Sequence, residues 1–255
     1  MALLDHESFP QPSDPSELVW RYMDTPKLLS LLLRQALFLG RVDLFPDKYE
    51  GTHTRPTREA LLRQLTSPRP TGTGLGPEQA RHLAQQMIKA PRLVRKMMYA
   101  SCWCLLKHES EAMWRLYSGT GEGVALVLPY SRLKESLTDP VAFVGTMTYI
   151  DYGSEFIQLG NMFNYVMHKR REFQHEREVR IVRMAPDDIV GPDWETKLPA
   201  SLALPWVAKD HVQSIVVSPY AAPWYLDTIR ETVARVSPGL EDRVVASTMG
   251  GDPLD

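Results

Sequence analysis

Residues 173–183 read F-Q-H-E-R-E-V-R-I-V-R, and this stretch concentrates the chain's chemistry. Glu176 and Glu178 stand two positions apart, Arg180 follows two further on, and Val179 and Ile181 fill the alternate places. Strand side chains alternate between faces, so the pattern predicts Glu176, Glu178 and Arg180 on one face and Val179 and Ile181 on the other. Two carboxylates that close repel each other, and one is commonly held up in pKa or held in place by a cation. Such a pair can stabilise positive charge as it develops and can take a proton from a nucleophile. The plainer alternative is a solvated edge strand whose charges block aggregation.

The rest of the composition narrows the setting. A chain of 255 residues, 44% hydrophobic, can build one large domain or a domain with an insert. A net charge of −2 makes no global demand for a nucleic-acid or membrane partner. No apolar run reaches the roughly 18 residues that a membrane-spanning helix needs. The opening MALLDHESFPQPSDPSE lacks the basic segment and apolar core of a secretory signal. Cys102 and Cys104, two apart, suit neither a disulfide framework nor a complete zinc site, and no metal site is expected. Their presence as thiols points to a reducing, cytoplasmic compartment.

The elements that must position the acidic stretch follow in order. Residues 1–15, rich in proline, read as a loose arm. Residues 18–23 form an aromatic-rich strand, and Thr25 with Pro26 starts a helix. A strand at 36–39 leads into a charged loop, 40–51. The block 52–98 reads as a helical insert or lid: a helix from Arg58, a Pro/Gly loop at 67–77, a helix from 77 to about 90 that Pro91 ends or kinks, and a further helical piece before 98. Its basic residues Arg81, Lys89, Arg92, Arg95 and Lys96 could face a polyanion or simply solvent. A strand at 99–106, a helix capped by Ser110, the apolar strand 123–128, a short helix at 130–137, a strand at 144–150 and a helix at 156–169 come next. After the acidic stretch come a polar loop, short strands near 202–204 and 212–217, a helix at 224–236 and a last strand at 243–247. Few clean β-α-β alternations occur, which argues for an α+β fold with a mostly antiparallel or split sheet. The expected organisation is one domain over 16–240, with 241–255 as a C-terminal strand or tail.

Common signatures are missing: no G-x-x-x-x-G-K-S/T, no G-x-G-x-x-G after a strand, no H-E-x-x-H and no G-x-S-x-G. The motifs present are L-V-W-R-Y-M at 18–23, F-L-G-R-V-D-L-F-P-D-K-Y-E-G at 38–51, S-C-W-C-L at 101–105, E-S-E-A-M-W-R-L-Y-S at 109–118, G-V-A-L at 123–126, F-Q-H-E-R-E-V-R-I-V at 173–182 and I-V-V-S-P at 215–219. Together, over about 18–235, they resemble the bacterial domain-of-unknown-function 2971 family. That family name carries no activity.

A second resemblance carries one. The order of Arg21 on a first strand, Ser101-Cys102-Trp103 on a later one, and Glu176-Arg177-Glu178 opening another is similar to the three motifs of the ADP-ribosyltransferases, with S-C-W standing where that superfamily has S-T-S. The resemblance implies an ADP-ribosyltransferase-like split sheet and NAD as substrate. Cleaving the nicotinamide–ribose bond builds positive charge on the ribose. Glu178 would stabilise that charge, Glu176 would orient or deprotonate the incoming nucleophile, and Arg21 would hold a ribose or phosphate oxygen. Tyr22, Trp103 or Tyr117 would stack on nicotinamide, and Ser101, Arg41 and Arg180 would complete the NAD contacts. The resemblance further implies a bacterial toxin or antiphage effector, with an antitoxin or defence-system partner and a protein or nucleic-acid acceptor. Two other readings stand beside it: a non-catalytic nucleotide or nucleic-acid binding module, and a metal-dependent nuclease built on Asp43, Asp47, Glu50 and the later glutamates. Convergence of Arg21, Ser101 and Glu178 on one cleft is the structural test of the transferase reading, which fails if they lie far apart. On that reading Glu178→Gln abolishes activity and spares NAD binding.

Overall fold

The structure of the protein, a computed structural model, describes residues 6–66, 76–118, 121–186, 189 and 192–250. Most of the predicted Pro/Gly loop (67–75) and the end of the tail (251–255) lie outside the described residues. In chain order the strands are β1 (Leu18–Asp24), β2 (Ala36–Arg41), β3 (Met98–Leu105), β4 (Gly123–Pro129), β5 (Ala142–Thr146), β6 (Thr148–Ile150), β7 (His168–Arg170), β8 (Glu178–Met184), β9 (Ser201–Pro205), β10 (Ser214–Val217) and β11 (Val244–Ala246). The helices are α1 (Thr25–Arg34), α2 (Arg55–Thr66), α3 (Pro77–Met97), α4 (Glu111–Tyr117), α5 (Tyr130–Glu135), α6 (Phe163–Val166), α7 (Trp194–Lys197), α8 (Ala208–His211) and α9 (Pro223–Val236).

Nine strands form one sheet, ordered β11-β10-β4-β1-β3-β2-β9, with β8 paired to β3 and β5 paired to β8. Every ladder in it is antiparallel except β10 with β11. The fold is the expected α+β type with a mostly antiparallel sheet. The sheet forks at β3. One edge of β3 holds β1 at Cys104 and Leu105 and β2 at Tyr99 and Ala100, while the other edge holds β8 from Met98 to Cys104. β1 and β2 therefore part from each other along a single strand.

Residues opposed in an antiparallel ladder share a face. The register Val19–Leu105, Arg21–Leu126, Trp103–Val179 and Ser101–Ile181 defines one face. It carries the main core, where Val19, Met23, Trp103, Leu126, Val179 and Ile181 meet α1 and α9 through Leu28, Leu32, Ile229 and Val233. The register Trp20–Cys104, Tyr22–Ala125, Cys102–Arg180 and Cys104–Glu178 defines the other. There Trp20, Tyr22 and Cys104 pack on Met113 and Trp114 of α4. Further along the same face, Met98, Ala100 and Val182 pack with Phe9 and Tyr165.

Several local expectations change. β8 is no edge strand, because β3 and β5 flank it and Val179 and Ile181 are wholly buried. The expected loose arm is anchored at Phe9, which is buried and stacks on Phe143 with centroids 5.3 Å apart, and its neighbour Pro10 accepts a bond from Thr146 N at 2.8 Å. Gly145 makes room for this, since a Cβ there would meet Phe9 at 2.8 Å. The cap of α1 is Asp24, whose carboxylate accepts from Lys27 N, and Thr25 is already helical. α3 runs unbroken through Pro91. Proline cannot donate to the carbonyl four residues back, but His53 Nε2 donates to that carbonyl, Met87 O, at 3.1 Å. The helix expected at 156–169 shrinks to α6. Side chains divert the chain into turns instead: Asp151 Oδ1 accepts from Gly153 N and Asn161 Oδ1 from Phe163 N.

Candidate active site

Residues 171–176 form a 3-10 helix and Arg177 takes a left-handed φ of 43° before β8 starts at Glu178. Glu176 is therefore not on the strand, and simple alternation does not bring it beside Glu178. Lys169 does. Its Nζ donates to Glu176 Oε2 at 2.6 Å and to Glu178 Oε2 at 3.0 Å. Arg180 grips the other oxygen of Glu178, with Nε and Nη2 donating to Oε1 at 2.9 and 2.7 Å. Arg180 Nη2 also pairs with Glu50, and Nη1 donates to Val166 O at 2.7 Å. The Glu178 backbone N–H donates to the Tyr149 hydroxyl at 2.7 Å.

These five ionisable groups are all buried. Burial opposes the charge on Glu178, but Arg180 and Lys169 outweigh it, and its pKa falls to about 2. Burial likewise works against Lys169, yet Glu178 and Glu176 hold its pKa above the ordinary lysine range. Glu50 goes the other way, with burial raising its pKa against the pull of Arg180. With all five ionised, three carboxylates against two cations leave one net negative charge. The thiols do not join that chemistry, since burial and then Glu178 push Cys102 well up and Cys104 to about 12. A thiol nucleophile needs the opposite shift.

A cleft of about 50 Å³ opens on Glu176 and Glu178. Trp20, Tyr22 and Tyr117 give it aromatic surface, and β3 borders it with Cys102, Trp103 and Cys104. That volume suits a few water molecules and falls well below the few hundred Å³ of a typical ligand pocket. Tyr117, half in solvent at 45% exposure, also borders a second groove of about 550 Å³ with Asp24, Thr25, Glu122 and Tyr225. Glu176 Oε1 has no hydrogen-bond partner among the described residues, whereas both oxygens of Glu178 are taken.

The structure brings together Glu176, Glu178, Tyr22 and Tyr117 of the expected site. Arg180 is held against Glu178 from behind and Trp103 borders the cleft from β3, while Arg21, Ser101 and Arg41 lie apart. Arg21 and Ser101 lie across the sheet from Glu178, in register with Leu126 and Ile181. Arg21 spans the fork, donating from Nη2 to Phe38 O at 3.2 Å, with its guanidinium 5.6 Å from the Trp103 ring centroid. Trp103 turns its indole into the main core, where Nε1 donates to Ser101 Oγ at 3.2 Å. Arg41 is spent on Asp43 and the Leu198 carbonyl. Arg180 is wholly buried behind Glu178 and reaches no cleft. The two-residue strand period missed this split, because whether residues of two strands share a face depends on the register between them. The acids proposed for a metal are likewise committed: Asp43 to Arg41, Asp47 to Arg170 and Glu50 to Arg180. Among the described residues no cluster of three potential ligands could hold a metal ion.

Sequence reasoning missed Lys169, Trp20 and Tyr149. Lys169 stood in plain view within the run Lys169-Arg170-Arg171, nine residues before Glu178. Nothing in the sequence distinguishes the one member of that run that turns inward.

No family model matches this chain, and none of the curated proteins does. The resemblance to the domain-of-unknown-function 2971 family thus rests on its motifs alone. Two solved structures are similar along nearly the whole length. One is Thermus sp. 2.9 DarT in complex with ADP-ribosylated ssDNA, at 12% identity and a TM-score of 0.41, covering 93% of this chain and 96% of that one. The other is Thermus sp. 2.9 DarT in complex with NAD+, at 13% identity and a TM-score of 0.40, covering 92% and 96%. A likeness of this size leaves function to the chemistry of the site. Among the described residues no helix is long and apolar enough to cross a membrane.

Proposed function

We propose that the cleft cleaves the nicotinamide–ribose bond of NAD, as an ADP-ribosyltransferase or NAD glycohydrolase. The observation that carries this reading is a pair of braced carboxylates closing an aromatic-walled cleft, one of them with a free oxygen. Nicotinamide is planar and stacks on aromatic rings, which Trp20, Tyr22 and Tyr117 supply. As the C–N bond breaks, its electron pair leaves with nicotinamide and C1′ becomes electron-poor. The fixed charge of Glu178 and its neighbours stabilises that cation without having to move. The acceptor's oxygen or nitrogen then bonds to C1′ and gives its proton to Glu176 Oε1. Rotation of Tyr117 would join the cleft to the larger groove and make room for the rest of the dinucleotide.

The expected convergence of Arg21, Ser101 and Glu178 on one cleft is not met, Arg21 and Ser101 lying across the sheet from Glu178, so the reading rests on the carboxylates and the aromatic walls. An enzyme that consumes NAD can act as a toxin or antiphage effector, held in check by an antitoxin or a defence-system partner. The free thiols suit the reducing cytoplasm. Induced expression in a bacterial host should arrest growth and lower NAD, and a Glu176→Gln chain should do neither. A second reading, a nucleotide-binding module without turnover, is favoured by the full occupation of both Glu178 oxygens and the small cleft. The two separate on nicotinamide release: binding of NAD with no release selects the module.

A further inference from the structure

We propose that Lys169 is the positioning residue of the carboxylate pair: from behind the cleft it holds Glu176 and Glu178 side by side with both charges intact. The inference rests on the reading of this cleft as the reacting site. Lys169 sits mid-strand in β7, in register with Tyr149 of β6. That single register point fixes Glu178 twice, since the Tyr149 hydroxyl accepts its backbone N–H and the neighbouring Lys169 ammonium takes its Oε2. The same ammonium reaches Glu176, which otherwise hangs at the end of a 3-10 turn. Phe173 covers Lys169 with its ring centroid 4.8 Å from Nζ. Lys169 is 7% exposed and does not line the cleft, so it acts through the glutamates and not on a ligand.

The charges facing Lys169 are Glu176, Glu178 and, further off, Glu50, with Arg180 as the like charge beyond Glu178. The hydroxyls of Tyr117 and Tyr149 and the thiols of Cys102 and Cys104 also face the group, and burial keeps all four neutral near pH 7. Without Lys169, three carboxylates share one guanidinium. Carboxylates so placed cannot all stay ionised. Glu176 touches no other cation, so loss of the ammonium removes its one charged partner and favours its protonated form. It then loses its capacity as a base.

The test compares the full chain with Lys169→Met, similar in length and uncharged, and Lys169→Arg, which keeps the charge. Side-chain carboxyl carbons are followed by NMR across pH, with Glu176 assigned through Glu176→Gln. The expected result is a rise in the Glu176 midpoint of at least about one pH unit in Lys169→Met, largely reversed in Lys169→Arg. The acid limb of kcat/KM for nicotinamide release should move with it. A folded Lys169→Met chain whose Glu176 midpoint stays put would overturn the proposal. If Lys169→Met fails to fold, the Lys169 Nζ chemical shift of the wild type decides. Its step on Glu176 protonation should be present in the wild type and absent in Glu176→Gln, which keeps only the response to Glu178, and a pH response unchanged by Glu176→Gln would overturn the proposal. A wild type that releases no nicotinamide removes the reading of the cleft, while the titration still decides the role of Lys169.

Discussion

Two arginines flank β3 on opposite faces of the sheet, Arg180 wholly buried and Arg21 half-buried. Arg180 is in register with Cys102, and Arg21 rests over Trp103. Arg180 meets two carboxylates and a carbonyl, and although burial opposes its charge, Glu178 and Glu50 keep it firmly protonated. Arg21 meets one carbonyl and an indole face. It has no ion pair among the described residues, its Nη1 is buried without a partner, and burial lowers its pKa to about 10. The residue type is the same, Arg180 is the more buried of the two, and the partners differ. A buried charge becomes an asset only where carboxylates answer it. The face with answered charges also carries the cleft, so one network holds both the buried charges and the groups proposed to react.

Breaking the network should give the largest effect. Arg180→Met leaves Glu50 and Glu178 buried with Lys169 as their only strong cation, and it should cost about 3–5 kcal/mol in chemical denaturation. Arg21→Met on the other face should change stability by less than about 1 kcal/mol, because the charge it removes has no carboxylate to strand. Equal losses from the two substitutions would erase the contrast. Glu178→Gln falls with Arg180→Met, since it empties the grip of Arg180 and Lys169, so its loss of activity will be mixed with loss of structure.

The next effect is chemical. Glu176→Gln should lower nicotinamide release by about 10²–10³-fold with little change in melting temperature, because Glu176 sits at the rim of the network. Arg21→Met should leave the same rate within about twofold. Acid should also report on the network. Glu178 has its folded pKa lowered to about 2 from an ordinary 4.5. Its contribution is therefore present above about pH 4.5 and is lost as pH falls from there towards 2. Chemical denaturation at pH 6, 4 and 3 should show that decline in the wild type. Glu178→Gln, if it folds, should show a shallower one.

Much of the fold was legible in local pattern. The apolar run 123–128 is a fully buried central strand, Ser110 caps α4 through Met113 N, and the strand near 202–204 forms as expected. What failed depended on contacts distant in sequence. Pro91 stays helical because His53, thirty-four residues from Met87, takes the orphaned carbonyl. Phe9 is buried because Gly145 leaves space for it. The site divides the same way. Glu176 and Glu178 stand out by type and spacing, and Tyr22 and Tyr117 as aromatic candidates on the ADP-ribosyltransferase resemblance. The exclusion of Arg21 and Ser101 follows from the register of β1 with β4 and of β3 with β8, which no single strand's sequence states.

The most direct test is incubation of the pure protein with NAD, alone and with cell lysate, following nicotinamide beside a folded Glu176→Gln control. The account predicts release by the wild type that collapses in the variant, with dependence on lysate marking transfer to an acceptor and independence marking hydrolysis. No release from folded wild type under either condition, or undiminished release from Glu176→Gln, would contradict it.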